Sequence, residues 1–189
     1  IEARPVPASD VPGEHASPTQ PFPTKPPAYT PQGVSLDDAF DLTPELTAEA
    51  QATMSEYRLG PIYTPPSMEG TVTLPGVWGG ADWGGGAFDP ETGMLYVKSV
   101  VFGAINRIQK FDRAGAGARA AEVDADYTNR GLPSGFHGTL PLFKPPYARL
   151  TAIDLNNGTI AWSVPFGDNP TLREELTRLG VTAPEKLGA

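Results

Sequence analysis

One pattern occurs twice in this chain, and it limits what the chain can fold into more than any other feature. Ala87-Phe88-Asp89-Pro90-Glu91-Thr92-Gly93 and Ala152-Ile153-Asp154-Leu155-Asn156-Asn157-Gly158 share the form A-x-D-x-x-x-G. Each lies between the end of one β-rich run and the start of another. The aspartate can accept a hydrogen bond from the backbone two residues on, Pro90 presets the first turn, and glycine supplies the left-handed position. Both stretches therefore predict hairpin turns, joining 81–88 to 94–100 and 149–155 to 159–166. Asn157-Gly158-Thr159 also matches a glycosylation sequon, which the turn's backbone geometry explains more simply.

Two successive hairpins give four antiparallel strands, the content of one propeller blade. Residues 101–146 then read as an insertion between its second and third strands. They comprise the basic, Ala/Gly-rich RIQKFDRAGAGARAAEVDADY and then GLPSGFHGTLPLFKPP. Arg107, Lys110, Arg113 and Arg119 suit either an anion site or a solvated face, and a connection this long is expected to be functional or disordered. TVTLPG (71–76) alternates as a further strand. In GGADWGGG (79–86) a tryptophan sits among glycines. Glycine weakens a strand unless another backbone or a flat ligand must approach closely.

Nine prolines in residues 1–33 fix φ and remove N–H donors, which excludes a helix or a central strand there. Two readings stand: a flexible linker, or an extended segment lying against a folded surface through Phe22 and Tyr29. Residues 43–60 predict a helix, with Thr43 as N-cap, Pro44 at the first position and Glu45 in the first turn. Leu46, Ala50, Met54 and Tyr57 share one face, and Gly60-Pro61 stops it. That face reads as a docking surface. NPTLREELTRLG (169–180) is helix-like. The expected division is 1–40 Pro-rich connection, 41–70 helix and loop, 71–168 blade with its insertion, and 169–189 loop or start of a next insertion.

Composition excludes several functions. A net charge of −8 argues against a nucleic-acid partner. With no cysteine, disulfides and thiolate metal sites are impossible. His15 and His137 are the only histidines, without paired metal ligands at helical spacing, and no G-x-S-x-G nucleophile elbow is present. No apolar run approaches the ~20 residues a membrane helix needs. With 22 Pro and 21 Gly the chain is loop-rich, although a hydrophobic content of 39% implies that part of it packs. A closed propeller takes about four to eight blades. A chain supplying one, beginning at Ile1 without a signal-peptide pattern, is expected to be a piece of a larger protein.

The stretch AIDLNNGTIAW (152–162) resembles the tryptophan-docking motif A-x-D-x-x-x-G-x-x-x-W of the quinoprotein dehydrogenase propellers. IEARPVPASDVPGE (1–14), SPTQPFPTKPP (17–27), DLTPEL (41–46), YRLGPIYTPPS (57–67), GGADWGGGAFDPETGMLYVK (79–98) and PPYARLTAIDLNNGTIAW (145–162) are similar to its membrane-bound glucose and quinate dehydrogenase branch. The resemblance covers nearly the whole chain to about Asp168. It implies an all-β fold: a fragment of an eight-bladed β-propeller holding about one complete blade, with a Pro-rich segment and one short helix.

The resemblance also implies oxidation of a sugar, polyol or alcohol hydroxyl with pyrroloquinoline quinone, and transfer of electrons to ubiquinone or a cytochrome of the respiratory chain. Trp162 would pack on a neighbouring blade. Asp82 and Trp83 would lie at the mouth of the funnel beside the flat quinone, and glycines 84, 85 and 86 suit the crowding there; the alternative reading of Trp83 is an ordinary packing residue between blades. The family usually has asparagine where this chain has Asp82, and a carboxylate repels an anionic cofactor unless protonated or paired. Calcium or magnesium ligands, the catalytic aspartate and a cofactor-contacting lysine would come from preceding blades, so no catalytic or metal residue is assigned here. The implied location is periplasmic, with membrane association through parts outside this chain. Two rival readings are a cofactor-free propeller serving as a scaffold and an independent carbohydrate-binding β module. The latter would leave sheet edges unpaired.

Overall fold

A computed structural model describes residues 1–81 and 84–188, apart from the side chains of residues 119 and 120. In chain order its strands are β1 (Glu2–Pro5), β2 (Thr19–Phe22), β3 (Gly33–Val34), β4 (Gly60–Pro61), β5 (Thr71–Thr73), β6 (Gly86–Asp89), β7 (Met94–Val100), β8 (Ala104–Lys110), β9 (Tyr127–Leu132), β10 (Gly135–Phe136), β11 (Leu140–Pro141), β12 (Ala148–Asp154) and β13 (Thr159–Pro165). Two helices accompany them, α1 (Pro44–Met54) between β3 and β4, and α2 (Pro170–Arg178) after β13.

The two predicted hairpins form one four-stranded antiparallel sheet in the order β13-β12-β7-β6. Its four strands lie side by side in chain order, as in a propeller blade, although β8 to β11 intervene in the chain between β7 and β12. Ala87, Tyr96, Ala152 and Trp162 stand on one rung, so their side chains leave the same face. Ala152 is completely buried. Because its side chain is a single methyl, the rings of Tyr96 and Trp162 meet above it at 5.9 Å. The small residue of the A-x-D-x-x-x-G-x-x-x-W pattern has that physical use here. On the same face Val164 and Phe166 remain 45% and 41% exposed, and Trp162 42%. The Lys98 ammonium lies 5.7 Å from the Phe166 ring centroid, but the row of aromatic and aliphatic side chains stays largely open to solvent.

Residues 101–146 are ordered as sheet, which corrects the expectation of a loop. β8 pairs with β9 and, on its other side, with β5. The alternating stretch after residue 71 therefore belongs to this second sheet and not to the blade. The contiguous core lies beneath it, where Val72, Leu74, Ile105, Leu140, Leu142 and Phe143 pack with Phe40 and with both helices. α1 contributes Leu46, Ala50 and Met54, and α2 contributes Leu172 and Leu176. Each large aliphatic side chain buried here contributes about 1.5–3 kcal/mol.

Both helices begin as their sequences dictate. Thr43 Oγ1 accepts from the Leu46 N–H at 3.3 Å, Asn169 Oδ1 accepts from the Leu172 N–H at 3.0 Å, and a proline follows each cap. The first helix stops at Met54, short of the expected Gly60. The Arg58 N–H donates to the Gly70 carbonyl at 2.9 Å, and the Arg58 carbonyl accepts from the Val72 N–H at 2.9 Å. Backbone that would have continued the helix is bonded to the β5 region instead.

The Pro-rich segment takes the second of its two readings, extended against the folded body. β1 and β2 form a short ribbon. Phe22 is buried edge-on to Tyr63, with ring centroids 5.7 Å apart, and Asp10 forms an ion pair with Arg58. Farther along, Thr30 lies against Gly80 so closely that a Cβ on that glycine would sit 2.5 Å from Thr30 Cγ2.

Candidate active site

The blade has two unlike ends. At one end are the Asp turns. Asp89 accepts from Thr92 Oγ1 at 2.6 Å and from the Glu91 N–H at 3.0 Å. Asp154 accepts from Asn157 Nδ2 at 2.6 Å and from the Asn156 N–H at 2.8 Å. These bonds hold both carboxyls below the usual carboxylate range, with Thr92 the chief cause at Asp89 and Asn157 at Asp154. Gly93 and Gly158 take φ of 71° and 65°, which a side chain would oppose. This end is a structural clasp.

At the other end the Val100 N–H donates to the Gly80 carbonyl at 2.6 Å. There the glycine-rich stretch enters β6, the insertion leaves β7 and returns to β12, and Thr30 packs on Gly80. The Pro-rich segment, the glycines and the insertion therefore converge on one end of one sheet.

Asp82 and Trp83, the two residues the sequence nominates, lie outside the described residues. Their flanks revise the crowding argument. The tight glycines are Gly80 and Gly86, where an added Cβ would meet Thr30 Cγ2 at 2.5 Å and the Tyr96 carbonyl at 3.0 Å. Gly84 and Gly85 meet nothing within 4 Å among the described residues, and Gly85 is required by its φ of 58°. Bare backbone facing open space is the condition under which a flat ring can lie close, so this stretch fits a planar cofactor.

Among the described residues no group of three or more His, Asp or Glu side chains could hold a metal ion. His137 Nε2 is 2.6 Å from Glu49 Oε2, which ties the β10–β11 hairpin to α1. Two basic residues of the insertion bind backbone. Arg107 donates to the Glu69 carbonyl at 3.0 and 3.2 Å, and Arg113 donates to the Val123 and Ala125 carbonyls at 3.1 and 3.3 Å.

The model of the PQQ family, described as the glucose/ethanol/alcohol dehydrogenase β-propeller domain, matches residues 1–189. The chain belongs to this family. Its similar curated relatives are dehydrogenases. The quinate/shikimate dehydrogenase (quinone) of Acinetobacter baylyi is 27% identical over 194 residues, covering 96% of this chain and 24% of that protein. The glycerol dehydrogenase large subunit of Gluconobacter oxydans is 28% identical, covering 88% and 25%. The quinoprotein glucose dehydrogenase of Escherichia coli is 25% identical, covering 87% and 22%. The chain spans about a quarter of the length of these relatives. No solved structure matches it. No helix among the described residues is long and apolar enough to cross a membrane.

As a segment of the PQQ-family β-propeller, the four-stranded sheet is a blade, and its two ends have separate uses. Sequence reasoning found the turn end in full, because aspartate and glycine turn chemistry is local. It missed a cleft of about 250 Å³ between residues 28–31 and 143–149, which Arg149 and Lys144 line. It also missed a larger cleft between Val77-Trp78 and the start of the insertion. Trp78 stands directly before the glycines, and that was its only signal.

Proposed function

We propose that this chain is one blade, with its insertion, of a quinoprotein dehydrogenase that oxidises a sugar, polyol or alcohol hydroxyl with pyrroloquinoline quinone. Family membership over residues 1–189 is the observation that carries this reading. When bound, the quinone accepts the electrons removed from the alcohol carbon. The chain's own residues wall and orient. Asp82 and Trp83 border the quinone, with Trp83 giving an apolar contact and Asp82 a charge. Gly84 and Gly85 keep the backbone bare, and the insertion shields that end from water. Calcium or magnesium and the catalytic base belong to other blades, which cover the Trp162 face. Electrons pass to ubiquinone or a cytochrome, and the setting is periplasmic. Residues 1–40 serve as connection and 41–70 as helical support, residues 71–168 hold the blade together with its insertion, and 169–189 begin a next insertion.

A cofactor-free scaffold is the second reading, favoured by Asp82 where the family usually has asparagine. Titrating the full-length protein with pyrroloquinoline quinone in the presence of calcium, and assaying dye-linked alcohol oxidation, separates the two. The dehydrogenase reading expects tight binding that Asp82→Asn strengthens and Trp83→Ala weakens, the latter by contact worth roughly 1 kcal/mol. Absence of any quinone binding would establish the scaffold.

A further inference from the structure

The cleft between residues 28–31 and 143–149 carries Lys144 and Arg149 in its wall. Arg58, Arg107 and Arg173 are half-buried like Arg149, and each of them is engaged. Arg58 pairs with Asp10, Arg107 donates to the Glu69 carbonyl, and Arg173 pairs with Asp168 and donates to the Glu185 carbonyl. Arg149 has no hydrogen bond or ion pair among the described residues. A guanidinium that has lost part of its water regains most from a carboxylate, which matches its fork of donors.

The wall around it is firm. The Lys144 N–H donates to the Asp38 carbonyl at 3.0 Å, and Lys144 Nζ donates to the Asp37 carbonyl at 2.7 Å. Across the cleft Thr30 is seated on Gly80. The lining acid, Asp38, faces its own turn, where Oδ2 accepts from the Ser35 N–H at 2.8 Å and from Ser35 Oγ at 3.2 Å. Its carboxyl is therefore taken, and the charge offered to the cleft is positive.

A second group points the same way. Ser99 of β7 is the register partner of Arg149 of β12, so both side chains leave one face of the sheet. The Val101 N–H donates to the Tyr147 carbonyl at 2.7 Å, which continues that ladder beyond β7. Val101 leaves the same face as Ser99 and also lines the cleft. Ser99 thus stands beside two residues that line it. It is 1% exposed, and its Oγ is the buried side-chain polar atom left without a partner among the described residues. Such a hydroxyl favours the arrival of an acceptor oxygen.

From this geometry we propose that the cleft is a binding site for a single carboxylate group. The Arg149 guanidinium takes both carboxylate oxygens, the remaining Lys144 ammonium hydrogens add charge, and the Ser99 hydroxyl is a further donor beneath them. At about 250 Å³ the cleft is smaller than the ~300–1,000 Å³ of pockets that enclose a whole small molecule. It therefore suits one acidic group and not an entire substrate. That group is either an acidic side chain from another part of the full-length protein or a small free carboxylate. The assignment is independent of the dehydrogenase reading and stands or falls without it.

The test uses the full-length protein without cofactor, with malonate as the probe and chloride at equal ionic strength as the control. If the carboxylate is free, calorimetry should show saturable malonate binding that Arg149→Gln weakens about tenfold or more. Arg149→Lys, which keeps the charge and loses the fork, should weaken it less. Ser99→Ala should weaken it about two- to tenfold. Arg130→Gln is the control, since Arg130 is exposed on β9 away from the cleft, and it should bind malonate as the wild type does. If an acidic side chain holds the site, malonate should not bind. Arg149→Gln should then lower Tm by about 1–2 °C more than Arg130→Gln, an effect that salt reduces and Arg149→Lys partly restores. Either pattern supports the site and names its source. Malonate binding undiminished in Arg149→Gln would overturn it, as would no malonate binding together with equal Tm for Arg149→Gln and Arg130→Gln.

Discussion

Asn156 reaches across from one Asp turn to the other, its Nδ2 donating to the Thr92 carbonyl at 2.9 Å. The two hairpins of the blade are thereby joined at their tips, and the Leu155 N–H adds a second bond to the Gly93 carbonyl at 3.0 Å. Gly93 sits beneath the Asn156 amide, where a Cβ would lie 2.4 Å from Nδ2, and its own φ is 71°. Gly93→Ala should therefore destabilise the blade by at least about 1 kcal/mol. Asn156→Ala, which removes one exposed hydrogen bond, should cost about 0.5–1.5 kcal/mol. Urea unfolding of the full-length protein would measure both.

The same turns fix an acid dependence. Asp89 and Asp154 are held below their ordinary value of 3.8 in the folded state. The stability they contribute is complete above that value and falls away as pH drops through the lower, folded values. Acid unfolding of Asp154→Asn should be less steep than wild type below about pH 4, with no difference in slope at neutral pH.

Gly103 tests how closely the insertion is seated on its core. A Cβ there would lie 1.9 Å from Cε2 of Phe143, which is 3% exposed. Gly103→Ala should cost about 1–3 kcal/mol through overpacking. A thermal shift of under a degree would show that Phe143 moves aside without resistance.

Leu176 is fully buried on α2, in the same cluster as Met54 of α1. Leu176→Ala should cost about 2–5 kcal/mol. If α2 were only a lead-out from the blade, the loss would be negligible. Hydrogen exchange on the α1 amides should report the same change, since both helices share that core.

Trp162 distinguishes the chain alone from the chain in its parent. It is 42% exposed here. Trp162→Ala in the isolated 189 residues should change stability by about 0.5 kcal/mol or less beyond its contact with Tyr96. In the full-length protein the proposed cover by a further blade predicts a loss approaching 3 kcal/mol or more. The isolated chain should also be poorly soluble, since Val164 and Phe166 extend the same open face.

What could be read from sequence was what neighbouring residues decide. Asp89, Asp154 and their glycines specified the turns, Thr43-Pro44 and Asn169-Pro170 specified helix starts, and the docking pattern specified the blade. The second sheet was hidden because its register depends on residues far apart. Thr71 pairs with Asn106, and Ile105 with Leu132, across connections that carry no periodic signal of their own. The end of α1 was misread for the same reason, since Gly70 and Val72 capture the Arg58 backbone from outside the local sequence. At the candidate site, Thr30 packs on Gly80 from fifty residues away. No reading of either residue alone could show that.

Val100 and Ala148, the last residue before the insertion and the first strand residue after it, are register partners in the blade. The insertion therefore starts and finishes on a single rung. Its interior draws on Phe40, α1 and α2, and little on the sheet that carries it. Forty-odd residues can thus be lengthened, shortened or exchanged over evolutionary time without shifting one pairing of the propeller. Relatives that share the blade's register are free to diverge in the insertion it carries. Sequence divergence should then concentrate in the insert and its helical supports, while the strands stay nearly constant.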